Sequence, residues 1–121
     1  TRLIDSVRQG SATPSQRFTN RIHRDDVAGA IAYLLRQEEL RQAEPPPLLL
    51  LSDDTPAPDT EVIGFLAQLL GVPPAPPRAP AGATGRGGHK RCRNARLRAT
   101  GYQLHYPSYR EGYAAMLTPS R

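Results

Sequence analysis

The 121-residue chain is poor in the residues that most often carry recognisable chemistry. It has a single cysteine, Cys92, which excludes an internal disulfide and a cysteine-based zinc site. A lone thiol fits a reducing, cytoplasmic compartment. Tryptophan is absent and only 6% of residues are aromatic, so few large side chains are on hand to fill a core or stack on bases. Its longest aliphatic run, Leu48 to Leu51, has four residues, far below the roughly 20 a membrane-spanning helix needs. Residues 1 to 16 are polar and broken by Gly10 and Pro14, which is not the pattern of a secretory leader. One of the sixteen cations is lysine; the rest are arginine.

Acidic residues are missing from one half. Residues 1 to 61 hold seven Arg and ten Asp plus Glu, whereas residues 62 to 110 hold eight cations and no acid. The net charge of +5 therefore resides in the second half. Such a half suits phosphate, nucleic acid or an acidic surface. An Arg-rich, solvated surface is the plainer reading, and no aromatic is interleaved with the cations of residues 86 to 98 to stack on a base.

What is present reads as alternating strands and helices, with no internal repeat. Leu3, Ile4 and Val7 predict a helix over residues 1 to 10, closed by Gly10. A strand is expected at 17 to 23. Next comes a helix over 25 to 42, with Asp25 and Asp26 at its positive end and a stripe of Val27, Ala30, Ile31, Leu34 and Leu35. Pro45-Pro46-Pro47 ends it. The run Leu48–Leu51 predicts a strand apolar on both faces, as in a parallel sheet. A turn at 52 to 56 leads into a helix over 59 to 70, capped by Asp59 or Thr60 and closed by Gly71. Residues 72 to 88 hold five prolines and four glycines and predict a flexible loop. Asn94 is expected to cap a short helix over 95 to 100, Gln103–Tyr106 to form a last strand, and 109 to 117 a final helix.

Four segments carry a family resemblance. They are Asn20-Arg21-Ile22-His23-Arg24-Asp25-Asp26-Val27-Ala28, Leu51-Ser52-Asp53-Asp54-Thr55-Pro56, the stretch from Lys90 to Tyr102 (KRCRNARLRATGY), and Tyr106-Pro107-Ser108-Tyr109-Arg110-Glu111-Gly112-Tyr113. In this order they resemble the second half of NAD-dependent epimerase/dehydratases, the extended and atypical short-chain dehydrogenase/reductases. The resemblance implies an α/β chain: the C-terminal part of a Rossmann-like fold, with a few short strands and three to four helices. Residues 1 to 121 would be one partial domain, a C-terminal fragment of a protein of roughly 280 to 350 residues. NAD or NADP would be held by the missing N-terminal half, and none by this chain alone. A small-molecule substrate would meet the present half. In the family an arginine near the first strand meets a substrate phosphate. Thr19 stands at the usual place here, so Arg17 or Arg21 is the candidate, with Asn20 and His23 beside it. The same resemblance makes the parent an oxidoreductase or epimerase and this part not an enzyme by itself. A basic nucleic-acid-binding or non-catalytic interaction module is the alternative.

The residues supply no complete catalytic set. Gly82-Ala83-Thr84-Gly85-Arg86-Gly87-Gly88 has the letters of a nucleotide loop, but a phosphate cradle needs a strand before it and a helix after it. The proton-transfer pair Tyr-xxx-Lys is absent, since the residue four before Lys90 is Arg86; Tyr106-xxx-Arg110 is its nearest imitation. His23, His89 and His105 lack metal-ligand spacing. His23 fits a corner hydrogen-bonded to backbone or to Asp26, Asp25 and Asp26 a helix start, and Asp53 and Asp54 a turn. Cys92 among Lys90, Arg91 and Arg93 is either a thiol of lowered pKa or a bystander. Arg96 and Arg98 line a cleft or a solvated face.

Overall fold

A computed structural model of the chain describes residues 2–42, 44–76 and 90–118. The order is α1 (Arg2–Arg8), β1 (Phe18–Thr19), α2 (Arg24–Glu39), β2 (Ala57–Pro58), α3 (Asp59–Leu70), α4 (Ala95–Ala99) and α5 (Tyr109–Leu117). β1 and β2 pair antiparallel, with Phe18 opposite Pro58 and Thr19 opposite Ala57. The four longest predicted helices, at 2–8, 24–39, 59–70 and 109–117, form close to their expected bounds.

The core has two parts. α3 is its centre, because the spacing of Val62, Ile63 and Leu66 puts all three on one face. They bury against Ile4 and Val7 of α1, Ala12, Ala57 and Tyr109 of α5. Val62 and Leu66 are fully buried, each stabilising by about 1.5–3 kcal/mol relative to exposure. The second cluster joins Ala30 of α2, Leu97 of α4 and Tyr102, flanked by Ile22, Tyr33, Leu49, Leu51 and Leu104. Gly29 faces Tyr102 here; a Cβ would lie 3.2 Å from the phenol Cζ, so the ring approaches only because the position is glycine.

Six expectations fail, each where the fold supplies a different partner or none. The strand at 17–23 shrinks to Phe18–Thr19, because Arg21 instead accepts at its carbonyl from the Asp53 amide, 2.6 Å. Gln103–Tyr106 is no strand: the amides of His105 and Tyr106 donate to a side chain, the Asp26 carboxylate, at 2.8 and 2.9 Å. Leu48–Leu51 forms no strand either, since nothing among the described residues pairs with it. Pro58, not Asp59 or Thr60, occupies the N-cap of α3, and no side chain caps it. Asn94 stands at the N-cap of α4 but does not cap it, for its amide is turned to Ser52 and Asp54. On α2, Ala30 is buried, whereas Ile31 and Leu35 of the expected stripe are about half exposed or more, at 50% and 61%. Of the predicted loop at 72–88, residues 72–76 follow Gly71 without regular structure; the remainder, with Gly82–Gly88, lies outside the described residues.

Candidate functional site

The site is the corner where β1 turns into α2. His23 is the N-cap of α2, and its Nδ1 accepts from the Asp25 amide at 3.1 Å. A ring nitrogen that accepts a backbone N–H carries no proton itself, so Nε2 bears the hydrogen of the neutral ring. The imidazole packs on Tyr106, ring centroids 4.1 Å apart, and its edge lies beside Gly112 of α5. His23 thus joins α2, the loop before α5, and α5 itself.

Asp26 is the hub beneath it. It is fully buried, and its carboxylate accepts from the Tyr102 hydroxyl at 2.8 Å and from the His105 and Tyr106 amides. A buried charge is tolerated only when hydrogen-bonded this fully. Burial, followed by the bond to Asp26, pushes the Tyr102 phenol up to about 12.

The turn at 52–56 locks onto the same corner. Asp53 is buried; its amide bonds Arg21 and its Oδ1 accepts from the Thr55 amide at 2.9 Å. Burial raises its pKa to about 6, against the pull of the Thr55 amide and the Arg21 charge. Asp54 donates its amide to the Pro107 carbonyl and accepts from Asn94 and Arg98. The Arg98 hydrogen bond holds the Asp54 carboxyl below the usual range.

The four residues proposed from sequence to meet a substrate come together on this corner, in different states. Asn20 brackets the basic segment: its Nδ2 donates to the Lys90 carbonyl at 2.9 Å and its Oδ1 accepts from the Cys92 amide at 2.7 Å. Arg21 donates to Thr19 Oγ1 and pairs with Asp59 at 3.4 Å, with 22% of its side chain exposed. His23 leaves 7% of its side chain exposed. Arg17 is exposed, and its carbonyl accepts from the Asp59 amide. Arg91 lies over the Phe18 ring at 3.8 Å, which brings a cation of the basic half against β1.

The other candidates separate. Tyr106 stacks on His23, whereas the Arg110 guanidinium lies over the Phe65 and Tyr109 rings at 5.0 and 5.3 Å, so the imitation pair is structural. Arg98 binds Asp54, while Arg96 lines a surface pocket of about 330 Å³ with Leu34, Gln37 and Thr100. Cys92 is free and half-buried. Among the described residues no group of His, Cys, Asp or Glu could hold a metal ion, and no helix is long and apolar enough to cross a membrane. The sequence reading missed the role of Asp26 and Tyr102, which lie 76 residues apart and carry no local signal of their pairing.

No protein-family model matches the chain, and no curated protein matches it. Solved structures are similar to it, two of them as follows. One, from Methylobacillus flagellatus and provisionally described as an NAD-dependent epimerase/dehydratase, is 42% identical over 96% of this chain, with a TM-score of 0.76. The other, a conserved protein of unknown function from Silicibacter pomeroyi DSS, is 30% identical over 83% of this chain, with a TM-score of 0.65. The chain spans 41% and 36% of their respective lengths. The likeness bears out both the resemblance carried by the four segments and the α/β class that it implied.

Proposed function

From a chain similar over nearly its whole length to part of an NAD-dependent epimerase/dehydratase, we propose that it is the C-terminal, substrate-side portion of an NAD(P)-dependent oxidoreductase or epimerase of the short-chain dehydrogenase/reductase kind. The observation that carries the reading is the 42% identity over 96% of the chain. The dinucleotide belongs to the portion outside this chain, and so does the proton-transfer pair, which makes the chain alone inactive. The compartment is cytoplasmic.

The corner supports a division of labour. Arg17 and Arg21 present guanidinium groups to an anionic or polar substrate, a task to which their planar forks are suited. Asn20 holds the basic segment beside them, and His23 offers the Nε2 proton as a donor once its Nδ1 is committed to the helix start. A buried hub at Asp26 keeps this geometry without occupying the substrate face.

Calorimetric titration tests the assignment. The 121-residue chain takes up no NAD or NADP at about millimolar cofactor, an affinity ceiling near −4 kcal/mol. A longer polypeptide, in which the part of the Methylobacillus protein that this chain does not span precedes it, binds the dinucleotide. Micromolar binding by the chain alone, or none by the longer polypeptide, overturns the reading.

A further inference from the structure

Arg91 is an exposed cation whose backbone and side chain are both held. The Asn20 side-chain amide bonds on either side of it, donating to the Lys90 carbonyl at 2.9 Å and accepting from the Cys92 amide at 2.7 Å. These are the two bonds that the backbone of a parallel strand would make around the same residue. The Arg91 guanidinium lies over the Phe18 ring, 3.8 Å from its centroid. Phe18 and Asn20 thus share the side of β1 that receives residues 90–92. Thr19 and Arg21, bonded to each other through their side chains, share the opposite side, as strand alternation requires. The two arginines differ in state. Arg21 is paired with Asp59. Arg91 is exposed, and no carboxylate among the described residues pairs with it. A guanidinium held through its face keeps its N–H edges for another partner. Lys90 and Arg93 beside it are also exposed, and residues 62 to 110 hold no acid to neutralise the three.

We propose that Arg91 is the centre of an oxyanion subsite that takes a phosphoryl group, on the side of β1 opposite Arg21. Asn20 is its positioning residue rather than a contact of the ligand. The subsite goes beyond the proposed function, because it needs neither the dinucleotide nor the Arg21 side. A planar fork can give two parallel N–H bonds to a carboxylate or to a phosphoryl group. Three cations within residues 90–93 favour the one of higher charge. Preorganisation supplies the rest. A free arginine loses side-chain freedom when it binds, whereas here the Phe18 ring and the Asn20 bracket hold the guanidinium and its backbone beforehand. The Asn20 amide is turned to the backbone through both its oxygen and its nitrogen, which is the geometry of a support.

Inorganic phosphate is the probe, titrated at low salt into the 121-residue chain and into the longer polypeptide described above, by calorimetry and by proton–nitrogen NMR. The Arg91 Nε–H signal, displaced upfield by the Phe18 ring, moves on addition of phosphate and stays in place with acetate. Arg91→Gln weakens phosphate binding by about tenfold or more, the worth of one charge-assisted hydrogen bond. Arg93→Gln removes the same charge two residues away and changes binding little. Arg91 is exposed, so its replacement keeps the fold, and an unchanged unfolding transition checks this. Asn20→Ala weakens phosphate binding and returns the Arg91 signal to its unshifted position, which a loss of stability alone does not do. In the longer polypeptide, competition between phosphate and NAD identifies a dinucleotide phosphate as the source of the group. Independent binding identifies a substrate or effector phosphate, and either result supports the subsite. No phosphate binding, an equal response to acetate, equal weakening by Arg91→Gln and Arg93→Gln, or binding untouched by Asn20→Ala overturns the proposal. The proposed function rests on dinucleotide uptake by the longer polypeptide, which none of these four results alters.

Discussion

Tyr102→Phe isolates the hub at the corner. The substitution removes one oxygen and keeps the ring, which is 9% exposed and packed with Ala30 and Leu97. The lost hydroxyl donates to Asp26 Oδ1 at 2.8 Å, and that oxygen is left with the His105 amide alone. A hydrogen bond to a charged group contributes about 1.5–3 kcal/mol, and a buried carboxylate short of a donor keeps its desolvation cost. Phenylalanine returns part of this, since it no longer buries a hydroxyl. A net loss of about 1–2.5 kcal/mol follows. At roughly 4–8 °C per kcal/mol, the scale for domains near this size, Tm falls by about 4–20 °C. Thermal and denaturant unfolding measure it. A second readout identifies the group. Tyr102 titrates near 12 when folded, above the usual 10, so its stabilising contribution is complete below 10 and is lost as pH rises through 12. In absorbance at the phenolate band one of the five tyrosines ionises late, and the late step is missing from the variant. A Tyr102→Phe protein within about 0.5 kcal/mol of the parent, the ordinary range of surface changes, refutes the hub.

Asp53 gives the opposite electrostatic case. Its folded pKa of about 6 exceeds the ordinary aspartate value of 3.8, so the folded state binds the proton more tightly. Stability from this group is fully present below about 3.8 and declines as pH rises through 6. Asp53→Asn, which keeps an acceptor for the Thr55 amide, flattens that slope and is more stable than the parent at neutral pH by on the order of 2 kcal/mol in denaturant titrations. Arg98→Ala cuts an ion pair whose cation is 62% exposed, so equilibrium unfolding of the variant stays close to that of the parent. The isolated chain, with Leu48, Leu50, Ile31 and Leu35 exposed, is marginally folded or associates. A sharp, concentration-independent unfolding transition above about 60 °C would show a self-sufficient domain instead.

Helices were the legible part of this sequence. The periodicity of Val62, Ile63 and Leu66 set α3, Gly71 ended it, and Ser108 capped α5 through the Arg110 amide, all within a few residues of chain. Local spacing suffices for a helix because its hydrogen bonds close within the segment. Strands were not legible for the complementary reason. Their bonds need a partner from elsewhere, and here the partners of His105, Tyr106 and Arg21 proved to be a buried carboxylate and a turn amide. Hydropathy ranks Asp26 as a surface residue of a helix start. Only the fold, by bringing Tyr102 and the 105–106 backbone onto it, makes it the most buried acid of the corner. The four substrate-side candidates were found by resemblance rather than by spacing, and tertiary structure decided their states: Asn20 spent on the 90–92 backbone, Arg21 shared with Asp59, His23 on the helix cap, and Arg17 bonded through its carbonyl to the Asp59 amide. For Leu48–Leu51 the residues determined the apolar character on both faces, but a ladder needs a second strand, and that lies beyond the contacts this chain makes with itself.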